Sequence, residues 1–231
     1  MTVDKSSQST DKSNQPTDKS SQPVDTEAAI LAAAEAEFID KGFAGARTTA
    51  IAERAGVTHA MLHYYFRTKE KLFETILASK MKQMQRMIFG FIIDGDMPFM
   101  ERISQGVKAH FDFVRRNASL PNFIINELRR DPELIGNMIR KNLGIFGDAE
   151  SVMDEVTAAM QRELDLQAEA GVCRKMDAIM LLLDIVSLNV FVFIGMPMMD
   201  ILFPAVREDL DAFLDRRCEE NVEVILNRLK P

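Results

Sequence analysis

The stretch TTAIAERAGVTHAMLHYYF, Thr48 to Phe66, decides the fold. It reads as two short helices parted by Ala55-Gly56-Val57. Thr48 or Thr49 opens the first, which runs through Ala55, and Thr58 caps the second, which runs to about Tyr64. Glycine at position 56 permits the left-handed backbone that a sharp helix–turn–helix bend needs. Ile51, Ala52, Ala55, Val57 and Leu62 supply small or branched apolar contacts where the two helices cross. In such a motif the first residues of the second helix reach base edges in the major groove. Thr58, His59 and Ala60 offer a short polar start with a small side chain for close approach.

Charge points the same way. The chain carries −7 overall, which speaks against general coating of a polyanion. Residues 42–71 nevertheless hold 5 basic and 2 acidic side chains, whereas 1–41 hold 4 and 8 and 72–231 hold 19 and 25. One short positive segment in an acidic chain attracts a polyanion locally and repels it elsewhere.

Working outward, everything from Asp25 reads helical, and no stretch alternates long enough for a strand. A first helix, about Thr26 to Lys41, carries Ile30, Leu31, Ala34 and Phe38 on one side and stops at Gly42. A fourth begins near Lys69 and runs towards Ile93, ended by Asp94-Gly95-Asp96 and Pro98. Further helices are expected at Pro98 to Asn117, Leu120 to Arg130, Pro132 to about Leu143, and Asp148 to Ala170. Asp177 caps a very apolar helix to about Gly195, and a last one spans about Val206 to Leu229. The fold class is therefore all-α.

The stretch from the first helix onward resembles the DNA-binding domain of TetR-type repressors, whose members read roughly T..IA..AGVS.G.LY.YF..KE.L. Matching positions are Thr48, Ile51-Ala52, Ala55-Gly56-Val57-Thr58, Leu62, Tyr65-Phe66, Lys69-Glu70 and Leu72. AAILAAAEAEFIDKGFAG upstream is similar to that family's first helix. The resemblance implies phosphate contacts at Thr48, His63, Tyr64 and Lys69, and base reading by Thr49, Thr58 and His59. His63 for the usual tyrosine and Ala60 for the usual glycine are departures. It further implies an N-terminal three-helix DNA-binding domain over 25–70 and a C-terminal helical regulatory and dimerisation domain over 71–231. The partners implied are double-stranded DNA with a near-palindromic operator, a second copy through the last two helices (about 177–195 and 206–229), and a small-molecule effector. Two recognition helices about one DNA turn apart add their affinities, which gives dimerisation a physical reason.

About Leu72 to Ala170 would form the regulatory core. Candidate pocket residues are Phe89, His110, Phe111, Phe113, Phe123, Asn126, Met138, Asn189 and Phe193. With 15 Phe and 15 Met in the chain, the expected effector is apolar or aromatic. Arg54 reads equally as a solvated charge or a DNA contact, while Tyr65 and Phe66 read as core, Phe66 pinning the third helix to the first and fourth.

Other readings carry less. Residues 1–24 repeat DKSSQST, DKSNQPT and DKSSQPV, with Asp4, Asp11, Asp18 and Asp25 seven apart but no apolar seam, so a disordered tail is expected. No apolar run near Met1 suggests a signal peptide, and two cysteines, Cys173 and Cys218, rule out a disulfide-rich scaffold. A soluble cytoplasmic protein is the expectation. Ala178 to Met196 is long enough to span a bilayer at about 28 Å, but Asp184 and Asn189 argue for a helix buried in an oligomer and against a membrane partner. His59 and His63 sit four apart without a third ligand, so no metal is expected, and no other cofactor is implied. No serine elbow, Cys–His pair or glycine-rich phosphate loop points to an enzyme. The competing function is an all-α ligand-binding protein or hydrolase with no DNA role.

Overall fold

The computed structural model describes residues 23–93, 97–142 and 152–231, and among them every regular element is a helix. In chain order these are α1 (Pro23–Gly45), α2 (Thr48–Arg54), α3 (His59–Tyr65), α4 (Lys69–Ile93), α5 (Phe99–Arg116), α6 (Leu120–Arg130) and α7 (Pro132–Asn142). They continue with α8 (Val152–Glu169), α9 (Ala178–Ile194), α10 (Met196–Leu202), a 3₁₀ turn (Pro204–Arg207) and α11 (Leu210–Leu229). The expected tail lies outside the described residues except for its last two, which open α1.

Local signals explain most boundaries. The Thr58 hydroxyl accepts from the Met61 amide at 3.1 Å and starts α3. Asp177 does the same for α9 through Met180 at 2.9 Å. Gly56 takes φ +68 between α2 and α3, the left-handed value the turn requires. Two expectations need correction. α1 does not stop at Gly42: the chain kinks there (φ 71, ψ 169) and resumes helical hydrogen bonding to Gly45. The last helix starts at Leu210, not Val206, because Asp209 is the residue that caps it, accepting from Ala212 at 3.1 Å. Between Gly195 and Val206 the sequence reading had no element. Pro197 in the first turn of α10 and Pro204 in the 3₁₀ turn each restart the helix there.

The core has three parts. The first joins Ile30, Ala34 and Phe38 of α1 with Ile51 and Ala52 of α2, Leu62 of α3 and Phe66 at its end, Leu72, Phe73 and Leu77 of α4, and Ile135 of α7. Phe73 meets Phe38 edge-on at 5.2 Å and continues to Phe123 of α6 at 5.6 Å. α2 and α3 are thus set on the same part of the core as α1, α4, α6 and α7. A second part packs α5, α8, α9 and α11 around Val107, Leu164, Leu181, Ile225 and Leu229. The third centres on Phe111, whose ring stands 5.4 Å from Phe193, with Val192 and Leu214.

A polar chain crosses this apolar interior. Asn189 (0% exposed) donates through Nδ2 to the Val107 carbonyl at 2.9 Å and to His110 Nδ1 at 3.1 Å. Its Oδ1 accepts from Asn221 Nδ2 at 2.9 Å, and Asn221 also donates to the Leu188 carbonyl at 3.1 Å. Amide and imidazole groups from α5, α9 and α11 are thus linked through the interior, which sets the helices in one register, although the Asn221 Oδ1 is buried without a hydrogen-bond partner.

No single described helix is long and apolar enough to cross a membrane; α9 and α10 together pass by length and composition but are bent by 60°. Asp184 on α9 is paired with Arg228 of α11 at 2.8 Å, and Asn189 belongs to the buried chain just described. Both polar residues of the apolar run therefore have packed roles within the protomer.

Candidate nucleic-acid interface

The helix–turn–helix face is assembled from α2, α3 and the start of α4. Ile51, Ala52, Leu62 and Phe66 turn inward, which leaves Thr49, Thr58, His59, Ala60, His63 and Tyr64 facing outward. Tyr64 is 84% exposed, a large ring with no fold role that the geometry requires. Leu62 and Phe66 lie four apart on the inner side, which puts Ala60 and Tyr64 on the opposite face, with His59 and His63 exposed along its edge.

His59 is held. Its Nε2 shares a hydrogen bond with the Thr48 hydroxyl at 3.0 Å, linking the first residues of α2 and α3. The His63 ring meets His59 edge-on at 4.5 Å, and His63 Nδ1–H donates to the Arg67 carbonyl at 3.2 Å. Three of the expected DNA contacts, Thr48, His59 and His63, thus form one connected surface, with Tyr64 beside it.

Lys69 is placed differently from a free phosphate ligand. Its ammonium donates to the carbonyls of Ala44 (3.3 Å) and Ala46 (3.2 Å) and lies 4.8 Å from the centre of the Phe43 ring. Two of its three donors close the end of α1, leaving one for a phosphate. Arg54 is committed to Glu37, a carboxylate only 6% exposed, at 3.6 Å. The basic side chains of this face that make neither an ion pair nor a side-chain hydrogen bond among the described residues are Arg47 and Arg67. Both are exposed and flank α2 and α3. Sequence reasoning counted them as charge but did not single them out; their position directly before α2 and after α3 was the available signal.

Phe66 is 5% exposed and packs with α1 and α4 residues, and Tyr65 rests on the same cluster, as expected of core positions. Among the described residues no group of three or more His, Cys, Asp or Glu could hold a metal ion.

The pocket candidates do not converge. His110 and Asn189 belong to the buried polar chain, and Phe111, Phe113 and Phe193 to the third part of the core. Met138 and Phe123 pack against the first part. The Phe89 side chain lies outside the described residues. Phe123, Asn126 and Phe193 do share one cavity of about 450 Å³, at the junction of α1, α6 and the α9–α10 bend. Asn221, which completes the polar chain, was missed: an asparagine inside an apolar stripe was its signal.

Residues 30–76 match the family described as bacterial regulatory proteins, tetR family. No curated protein is detectably similar in sequence. Solved structures with the same fold include a transcriptional regulator of the TetR/AcrR family from Thermobifida fusca YX-ER1, 21% identical, covering 88% of this chain and 97% of that one, with a TM-score of 0.59. The transcriptional regulator FadR from Bacillus subtilis, solved in complex with stearoyl-CoA, is 17% identical over 87% and 98% of the two chains, with a TM-score of 0.61. The fatty acid degradation regulator FadR from Bacillus halodurans is 18% identical over 90% and 97%, also with a TM-score of 0.61.

Proposed function

Through residues 30–76 the chain belongs to the tetR family of bacterial regulatory proteins, and from that premise we propose that it represses transcription by gripping a near-palindromic operator and lets go when a small molecule binds. The observation that carries the DNA role is the outward set Thr48, Thr49, Thr58, His59, His63 and Tyr64, flanked by Arg47 and Arg67 and seated on a buried aromatic core. Thr49, Thr58 and His59 read bases; Thr48, His63, Tyr64, Lys69 and the two arginines hold phosphates. Residues 25–70 act as the DNA-binding domain and 71–231 as the regulatory and dimerisation domain.

The test is retention on mixed duplex DNA at rising salt. Affinity should fall linearly on a log–log scale, with a slope set by the number of phosphates held. His59→Ala with Tyr64→Ala is the informative variant. Neither side chain supports the core, whereas Thr58 caps α3 and Lys69 closes α1. Retention should drop at least about tenfold while the melting temperature stays within about 2 °C. Undiminished retention would reject the assignment.

Dimerisation has its own support. The apolar stripe of α11, including Leu214, Val222, Ile225 and Leu229, is consumed inside the protomer. What remains is Ile179, Met180, Leu183 and Val186 along α9, each between 44% and 52% exposed, with Val224 of α11 at 48%. A strip of that kind on a soluble chain marks an interaction surface. Leu183→Glu with Val186→Glu should convert the protein to monomers in sedimentation, and a persisting dimer would move the interface elsewhere.

The effector has an apolar or aromatic body. It binds more tightly to a conformation whose two recognition helices are wrongly spaced, and by reciprocity weakens DNA by the same factor, a coupling of about 1–3 kcal/mol. α4 is the connecting element, with Lys69 at the DNA end and Met84 about four turns beyond it. Acyl-CoA binding by one structural relative is in line with an apolar effector here.

A further inference from the structure

The cavity of about 450 Å³ at the domain junction has a wall composition of its own. One side is the end of α1, Ile39 to Gly42; the other is a single face of α6; the α9–α10 bend closes it. Phe123, Phe193 and Met196 provide apolar surface. Asn122, Asn126 and Arg130 follow at four-residue steps, so three polar groups rise along one strip of α6, about 6 Å apart. The two amides make no hydrogen bond to the protein among the described residues. Of the cations lining the cavity, Lys41 is paired with Asp40 at 2.9 Å and Arg207 holds Asp200 through two nitrogens. Arg130 has only one long contact, Nη1 to Glu127 at 3.5 Å, and its side chain is 60% exposed. Four of its five donors are thus available in a fork that fits a carboxylate.

We propose that this cleft is a small-molecule site for an anion with an apolar body, a carboxylate on a flat or chain-like hydrocarbon, with Arg130 as anchor, Asn122 and Asn126 as further donors, and Phe123, Phe193 and Met196 against the hydrocarbon. The proposal rests on the reading of the chain as a ligand-responsive regulator, and names the ligand class and the place of its action. The place matters because of Gly42. A Cβ at that position would lie 2.5 Å from Arg130 Nη1 and 2.7 Å from Glu127 Oε1, so the α1 backbone sits directly on the Glu127–Arg130 pair. A ligand that draws Arg130 off Glu127 leaves a carboxylate that is only 4% exposed short of its partner. The seam between α1 and α6 must then rearrange, and with it the seating of the DNA-binding helices.

The test titrates the full chain, without DNA, with 2-naphthoate and with decanoate, and with neutral 2-naphthol as control. One carboxylate should bind per chain, at least about tenfold more tightly than its neutral analogue. Arg130→Gln should erase that preference, Arg130→Lys should restore part of it, and melting curves of both variants report whether they fold. Hydrogen exchange with naphthoate bound should show protection at 39–42 and 119–130. Failure of both carboxylates to saturate, equal binding of acid and naphthol, preference unchanged in a folded Arg130→Gln, or protection confined to α5 and α11 would each overturn the proposal. A chain that binds naphthoate as expected but retains no DNA would sink the regulator reading and leave the site standing.

Discussion

Phe38→Ala is expected to lower the stability of the chain by about 3–5 kcal/mol, the usual cost of removing a fully packed phenylalanine. Phe38 is 1% exposed and meets Phe73 edge-on at 5.2 Å and Phe43 at 5.9 Å. Its ring is the place where α1 and α4 close over the helix–turn–helix pair. Such a site collapses poorly, because Phe73 is itself held on the far side by Phe123. In a chain of 231 residues a loss of that size moves the melting temperature down by roughly 6–20 °C. DNA retention should vanish with it at temperatures where α9 and α11 still give helical circular dichroism, since α2 and α3 pack on the part of the core that Phe38 helps to fill. Urea melts of wild type and variant measure the cost; a difference under about 1 kcal/mol would mean that the aromatic seam does not hold the DNA-binding helices.

The second large effect is set by pH. Burial lowers the His110 imidazole from its ordinary 6.5 to about 4. The neutral ring suits its surroundings, because Nδ1 accepts from Asn189 and a proton there would face the amide's own hydrogen. The unfolded chain takes up a proton near pH 6.5 and the folded chain only near pH 4. Between those values the unfolded state binds more protons, so stability is complete above about pH 6.5 and falls as pH drops towards 4. A displacement of that size corresponds to a loss of about 3 kcal/mol across the window. His110→Gln keeps an acceptor for Asn189 without a titrating group, and should flatten the stability profile between pH 6.5 and 4. If wild type and variant lose stability in parallel, another group is responsible. The helices involved are α5, α9 and α11, so the same acid loss should weaken the dimer proposed through α9.

The helix–turn–helix was legible because its signals are local. Gly56 at a left-handed turn, Thr58 as a cap and Asp177 as another each act within four residues, and the structure uses each of them as read. The inward set Ile51, Leu62 and Phe66 agrees with their apolar character, and the exposure of His59 with its place at the start of α3. α10 was illegible for a related reason: MPMMDIL is too short to show a period, and its proline reads equally well as loop.

What only the tertiary structure decided is which partner each outward or inward side chain meets. Lys69 looks like a spare cation in sequence, yet the carbonyls it closes belong to residues 23 and 25 positions away. The stripe on α11 could have served a second chain or this one; packing against α5 and α9 assigned it to this one and left α9 exposed instead. Asn189 and Asn221 become a hydrogen-bonded pair, and Arg130 an under-used cation beside a cleft, only once α6, α9 and α11 take their places. Capping, turn conformation and periodicity are set by neighbours along the chain, so composition and spacing carry them. Hydrogen-bond and ion-pair partners are set by proximity in space, and that exists only after the helices have packed.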